Sequence, residues 1–130
     1  MRVSWEVALL RFRDGVEVEL DTDLVAQIFE RHGVVDVDAP EYLYRDPADP
    51  ESLWTTIYLH AQAVMFYRPT VGSVWNLIFD LMVECGAVLH DPSGLMVLPS
   101  EEMRTSLPSD ATFRAVRVAS TVEELLTSLG

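Results

Sequence analysis

One cysteine, Cys85, stands in a chain of 130 residues, and every basic residue in that chain is an arginine. A single thiol excludes an internal disulfide, so the fold rests on its core, and such usage is expected of a cytoplasmic protein. No apolar run approaches the roughly 20 residues that cross a bilayer as a helix. The first residues, Met-Arg-Val-Ser-Trp-Glu, lack the apolar segment of a secretory signal, so no membrane partner is expected. The three histidines and the cysteine show no CxxC or HExxH spacing, so no metal site is assigned. No glycine-rich loop follows a strand, which leaves phosphate binding without a signature. No catalytic residue and no cofactor are assigned, and the expectation is a non-enzyme.

Positive charge is also scarce: nine arginines face 21 acidic residues, for a formal net charge of −12. Its placement is uneven. Between Asp14 and Glu51 twelve acids meet only Arg31 and Arg45, whereas the rest of the chain carries nine acids and seven arginines. A surface this lopsided repels nucleic acid and anionic membranes and speeds encounter with basic partners. It also simply keeps a protein soluble.

What is present is apolar residue: 49% of the chain, enough for one domain over residues 1–130 with a sizeable core. Val3–Arg13 and Val16–Leu20 flank Asp14-Gly15, a pair suited to a type I′ hairpin turn because both positions need positive φ. Val3, Trp5, Val7 and Leu9 share one face of the first arm. Asp21 or Thr22 caps a helix with Leu24, Val25, Ile28 and Phe29 on one side, His32 in its last turn and Gly33 closing it. Residues 53–67 fit a helical stripe and an alternating strand alike; the β-branched Thr55-Thr56-Ile57 favours strand for both halves. Thr70 is placed to cap the apolar helix VGSVWNLIFDLMVEC, closed by Gly86. Asn76, Asp80 and Glu84 form its one polar stripe, and Trp75, Phe79 and Val83 a second apolar side. After it, Ala87–Leu89 and Leu95–Leu98 read as strands. Asp91-Pro92-Ser93-Gly94 between them has the residue order of a type I turn, so the neighbouring histidine, aspartate and serine are read as turn chemistry and not as a triad. Residues 100–111 are polar and expected to be mobile. Phe113–Val118 reads as the last strand, and Ser120-Thr121-Val122-Glu123 as a capping box for a short helix. The expected class is α+β, a mostly antiparallel sheet of hairpins packed against two main helices with a short C-terminal helix.

The segment Val37–Ser52 holds three prolines, a run of acids and two tyrosines, which predicts a surface loop. Its composition suits recognition of a basic protein surface. Asp36, Asp38, Glu41, Asp46, Asp49 and Glu51 supply charge, while Tyr42 and Tyr44 supply contact area with few rotors to freeze. The acids of segment 14–23 are a second candidate patch.

The run VMFYRPTVGSVWNLIFDLMVECGAVLHDPSGLMVLP, with Arg68-Pro69 before an apolar helix carrying Trp75, Phe79 and Leu81, then Gly86-Ala87-Val88 and Pro92, resembles a group of small bacterial immunity proteins. These are encoded beside polymorphic or type VI secreted toxins. The resemblance spans residues 64–129 and implies a protein that binds a cognate toxin with a basic surface and neutralises it by occluding its active-site cleft. Two other readings stay open: a self-associating regulatory or small-ligand-binding domain that forms a homodimer, and a phage-encoded acidic mimic of nucleic acid.

Overall fold

A computed structural model of the protein describes residues 6–69, 72–109, 113 and 115–129. Val3, Trp5 and Thr70, assigned above to the first strand and to a helix cap, lie outside the described residues. The fold is α+β. In chain order the elements are β1 (Glu6–Arg13), β2 (Val16–Val18), α1 (Thr22–Arg31), β3 (Val35–Asp38), β4 (Glu41–Tyr44), β5 (Thr55–Leu59), β6 (Ala63–Tyr67), α2 (Val74–Cys85), β7 (Val88–His90), β8 (Leu95–Leu98), a 3-10 helix (Glu101–Ser106), β9 (Ala115–Val118) and α3 (Val122–Leu129). Among the described residues the strands form one sheet in the order β3-β4-β5-β6-β1-β7-β8-β9, with β2 paired to the end of β1.

Local chemistry accounts for several joints. Asp14 and Gly15 take φ of 53° and 80°, the positive pair that the β1–β2 turn requires. Asp21 caps α1 by accepting from the Leu24 amide at 3.1 Å, and Gly86 closes α2 in the left-handed region. The histidine-aspartate-serine stretch is a turn. The Asp91 amide donates to Leu95 O at 2.9 Å and the Gly94 amide to Asp91 O at 2.8 Å. The Ser93 amide donates to Asp91 Oδ1 at 2.9 Å.

The helices cover one face of the sheet. Val7, Leu9, Ile57, Val64, Phe66, Leu89 and Val97 point from the strands into a core completed by Val25 and Ile28 of α1, by Trp75, Ile78 and Met82 of α2, and by Leu125 of α3. The opposite face divides. At the β7–β9 end Val88, Met96 and Leu98 lie under Met103, Leu107 and Phe113. At the β4–β6 end Leu43, Thr56, Tyr58, Met65 and Tyr67 stay half-buried.

Three expectations need correction. Residues 37–52 are not one loop: β3 and β4 form a hairpin about Ala39-Pro40, whose peptide is cis, and β4 joins the ladder of β5. The alternation of Thr55–Leu59 offers β4 a ready partner, which overrides the loop-like composition. Residues 101–106 are ordered as a 3-10 helix because Met103 and Leu107 cover the second core. The sheet is mostly antiparallel, as expected; among the described residues the pairing of β9 with β8 is the parallel one. The cap of α3 sits one residue later than expected: the Glu124 amide donates to Thr121 Oγ1 at 3.1 Å, and Glu124 reaches back to accept from the Ser120 amide at 2.7 Å.

Candidate functional site

The residues chosen from composition lie on and beside the β3–β4 hairpin, and the pleat sorts them. On β4, Tyr42 and Tyr44 pair with Ile57 and Thr55 and face the helices, while Glu41 and Leu43 pair with Tyr58 and Thr56 and face away. Tyr42 therefore packs edge-on against Phe29 of α1, ring centroids 5.0 Å apart. Tyr44 is 3% exposed, and its hydroxyl meets Ser73 Oγ at 2.5 Å, where the chain enters α2. Neither ring is a free surface anchor. Both tie the hairpin to the helical layer.

Asp46 has a similar tie. Its carboxylate accepts from the Ala48 amide at 2.9 Å and from the Ser73 amide at 3.4 Å. Those bonds, the Ala48 one foremost, favour the charged form and hold its pKa below the usual carboxylate range. Gly72 makes this approach possible. A Cβ there would lie 2.7 Å from Asp46 Oδ2, on a backbone whose φ is 127°. The root of the 45–54 loop is thus clamped to the start of α2.

Beyond that clamp the loop opens to solvent. Asp49 and Glu51 are exposed, and neither has an ion-pair partner among the described residues. Leu53 is 76% and Trp54 44% exposed, with the Arg45 guanidinium 4.3 Å from the centre of the indole. Both residues fall in the segment expected to be strand, yet they precede β5 and stand at the surface. The signal was there: two consecutive bulky apolar residues precede the alternation that starts at Thr55, and no single face of a strand can bury both.

Asp38 and Glu41 occupy the other end of the hairpin, about 10 Å along the strand from Tyr44. Tyr58 Oη donates to Glu41 Oε1 at 3.2 Å, and Glu41 pushes the phenol pKa up by that bond and by its charge. Tyr58 meets Tyr67 edge-on at 5.4 Å and lies parallel to the His60 ring at 6.4 Å. With Pro40 and Thr56 these three rings line an open concavity of about 620 Å³. Asp36 lies between the two ends, opposite Tyr42 on the helix-bearing side. The structure therefore places the proposed residues in three settings: Tyr42, Tyr44 and Asp46 as internal ties, Asp49 and Glu51 on an exposed loop, and Asp36, Asp38 and Glu41 along the outer hairpin. The exposed acids Asp14, Glu17, Glu19, Asp21 and Asp23 belong to β2 and the entry to α1, away from this hairpin in the strand order.

Other titratable groups are absorbed by packing. Asp80 and Glu84 of α2 meet the basic end of α1: Arg31 Nη2 pairs with Glu84 and lies 3.7 Å from Asp80, and His32 Nε2 lies 2.7 Å from Asp80 Oδ2. The α2 carboxylates so answer a helix C-terminus. Burial pushes the Cys85 thiol up to about 11, with Asp21 and Glu84 adding to it, so little thiolate exists at neutral pH. Among the described residues no group of three or more His, Cys, Asp or Glu is placed to hold a metal ion, and no helix is long and apolar enough to cross a membrane. Comparison with protein-family models, with curated proteins and with solved structures gave no match.

Proposed function

We propose that this chain is a binding protein that neutralises a cognate basic toxin, engaging it through the hairpin and loop of residues 35–54. One observation carries the reading. Asp49 and Glu51, without ion-pair partners among the described residues, share a clamped loop with the exposed Leu53 and Trp54. Unneutralised carboxylates on the same loop as an exposed indole are the components of a charged rim and an aromatic anchor in a protein–protein interface. The clamp at Asp46, Gly72 and Ser73 adds to it, because a loop held at its root loses less entropy on binding than a free one. Acidic side chains on such a loop suit a basic cleft, and their field raises the rate of encounter.

The test is co-expression with the product of the adjacent gene. The reading predicts that its toxicity disappears and that a one-to-one complex copurifies. Replacing Asp49→Arg with Glu51→Arg should slow association about tenfold and weaken its salt dependence, with the melting temperature unchanged because both side chains are exposed. Toxicity that persists beside full expression of the folded chain, with no complex, contradicts the reading.

A further inference from the structure

The sheet has an end at β3, and that end is unusual in what it leaves open. Val35, Asp36, Val37 and Asp38 are all exposed, the valines at 46% and 51%. Among the described residues β3 pairs only with β4, so one side of its backbone faces no other strand. An unpaired edge is a template for another strand, and proteins usually blunt it with charge, brevity or a bulge. Here charge and bulge are present, but the valines keep the strand apolar between the charges.

The bulge decides how the charges are set. Asp36 stands opposite Tyr42 and Asp38 opposite Glu41, with the register shifting between them. Tyr42 faces the helices and Glu41 faces away, so the two aspartates flank the edge on opposite faces of the sheet. A strand laid along β3 would meet a carboxylate on either face and valine side chains beside them. An acidic or neutral strand gains little there, since like charges across a ladder are unfavourable; a basic one gains a charge pair on each face. A second copy of the same edge is disfavoured for the same reason, because it brings the acid-rich segments of both chains together.

We infer that β3 is a docking edge for an extended, arginine- or lysine-bearing segment of a protein partner, which adds to the sheet as an outer strand. This rests on the binding reading above and specifies one mode of contact within it. The edge spans about 13 Å, and it starts opposite Leu43, one residue before the end of β4 and two before the 45–54 loop. A segment paired with β3 would lie beyond β3 and β4 from Trp54, roughly 14 Å away across the sheet, at the end where the 45–54 loop leaves β4.

The experiment uses the full chain and two synthetic peptides, one of alternating arginine and valine and one of alternating glutamate and valine, with amide hydrogen exchange resolved along the chain. The expected result is that the basic peptide slows exchange within Val35–Asp38 by about tenfold or more and that the acidic peptide does not. In the Asp36→Lys, Asp38→Lys variant, which should melt like the parent, the preference should reverse. Should that variant lose its fold, Asp38→Asn alone serves, with weakened slowing expected. Four results overturn the inference: no slowing at β3, equal slowing by both peptides, slowing confined to the Tyr58–Tyr67 face, or concentration-dependent self-association through β3 on ultracentrifugation. The toxin test separates the two claims, since a toxin that binds parent and charge-reversed chains equally well removes the edge and leaves the binding reading intact.

Discussion

The two halves of the sheet's helix-free face are built from similar strands and end in opposite ways. Over β7–β9, Val88, Met96 and Leu98 are closed off by the 3-10 helix and Phe113 into a second core. Over β4–β6, Leu43, Tyr58, Met65 and Tyr67 stay half-exposed beside Glu41 and the outermost strand. The difference is one of covering segments. Chain returns over the first half between β8 and β9, whereas the chain leaving β4 forms a clamped loop at the strand ends. One half is finished by the protein's own residues, and the other presents apolar, aromatic and acidic groups to solvent. The uncovered half lies at the same end of the sheet as the exposed loop on which the proposed binding surface rests.

The largest effect that sharpens this contrast comes from truncating each half. Met96→Ala removes a fully buried side chain and should cost about 2–5 kcal/mol in a denaturant melt. Tyr67→Ala removes a half-exposed ring and should cost about 1 kcal/mol or less. Equal losses would mean that the open half is as much a core as the closed one. Next in size is the clamp. Gly72→Ala forces a methyl toward Asp46 on a positive-φ backbone, so stability should fall by about 1 kcal/mol or more. Proteolysis within residues 45–54 should also accelerate in that variant. An unchanged cleavage rate would dissociate the loop from α2.

The smallest effect is electrostatic. The Asp46 carboxylate sits below its ordinary pKa when folded, because the Ala48 and Ser73 amides favour its charged form. A depressed folded pKa contributes stability above the unfolded value of about 3.9, and the contribution is lost as pH falls through the folded pKa. Asp46→Asn should therefore flatten the acid side of the stability curve below about pH 4, a region that denaturant midpoints between pH 2 and pH 5 resolve.

Much of the fold was legible because it is written in short-range chemistry. Asp14-Gly15, the Asp21 cap, Gly86 and the Asp91–Gly94 turn each fix a joint within a few residues. Two features were hidden for a different reason. The β3–β4 hairpin has the composition of a loop, and only the partner β5 turns it into sheet. The 3-10 helix reads as polar, yet Met103 and Leu107 face a core whose strands come from elsewhere in the chain. At the site, acidic charge was readable and side-chain direction was only half read. Glu41-Tyr42-Leu43-Tyr44 alternates, so both tyrosines share a face, and β5 turns that face toward the helices. Leu53 and Trp54 were concealed by the strand that follows them.

The most direct measurement is a hydrogen-exchange footprint of the one-to-one complex with the adjacent gene's product, compared with the free chain. The account predicts slowed exchange across residues 35–54 and no change over Leu95–Val118. Slowing concentrated on the 3-10 helix and β9, with residues 35–54 unaffected, would contradict it.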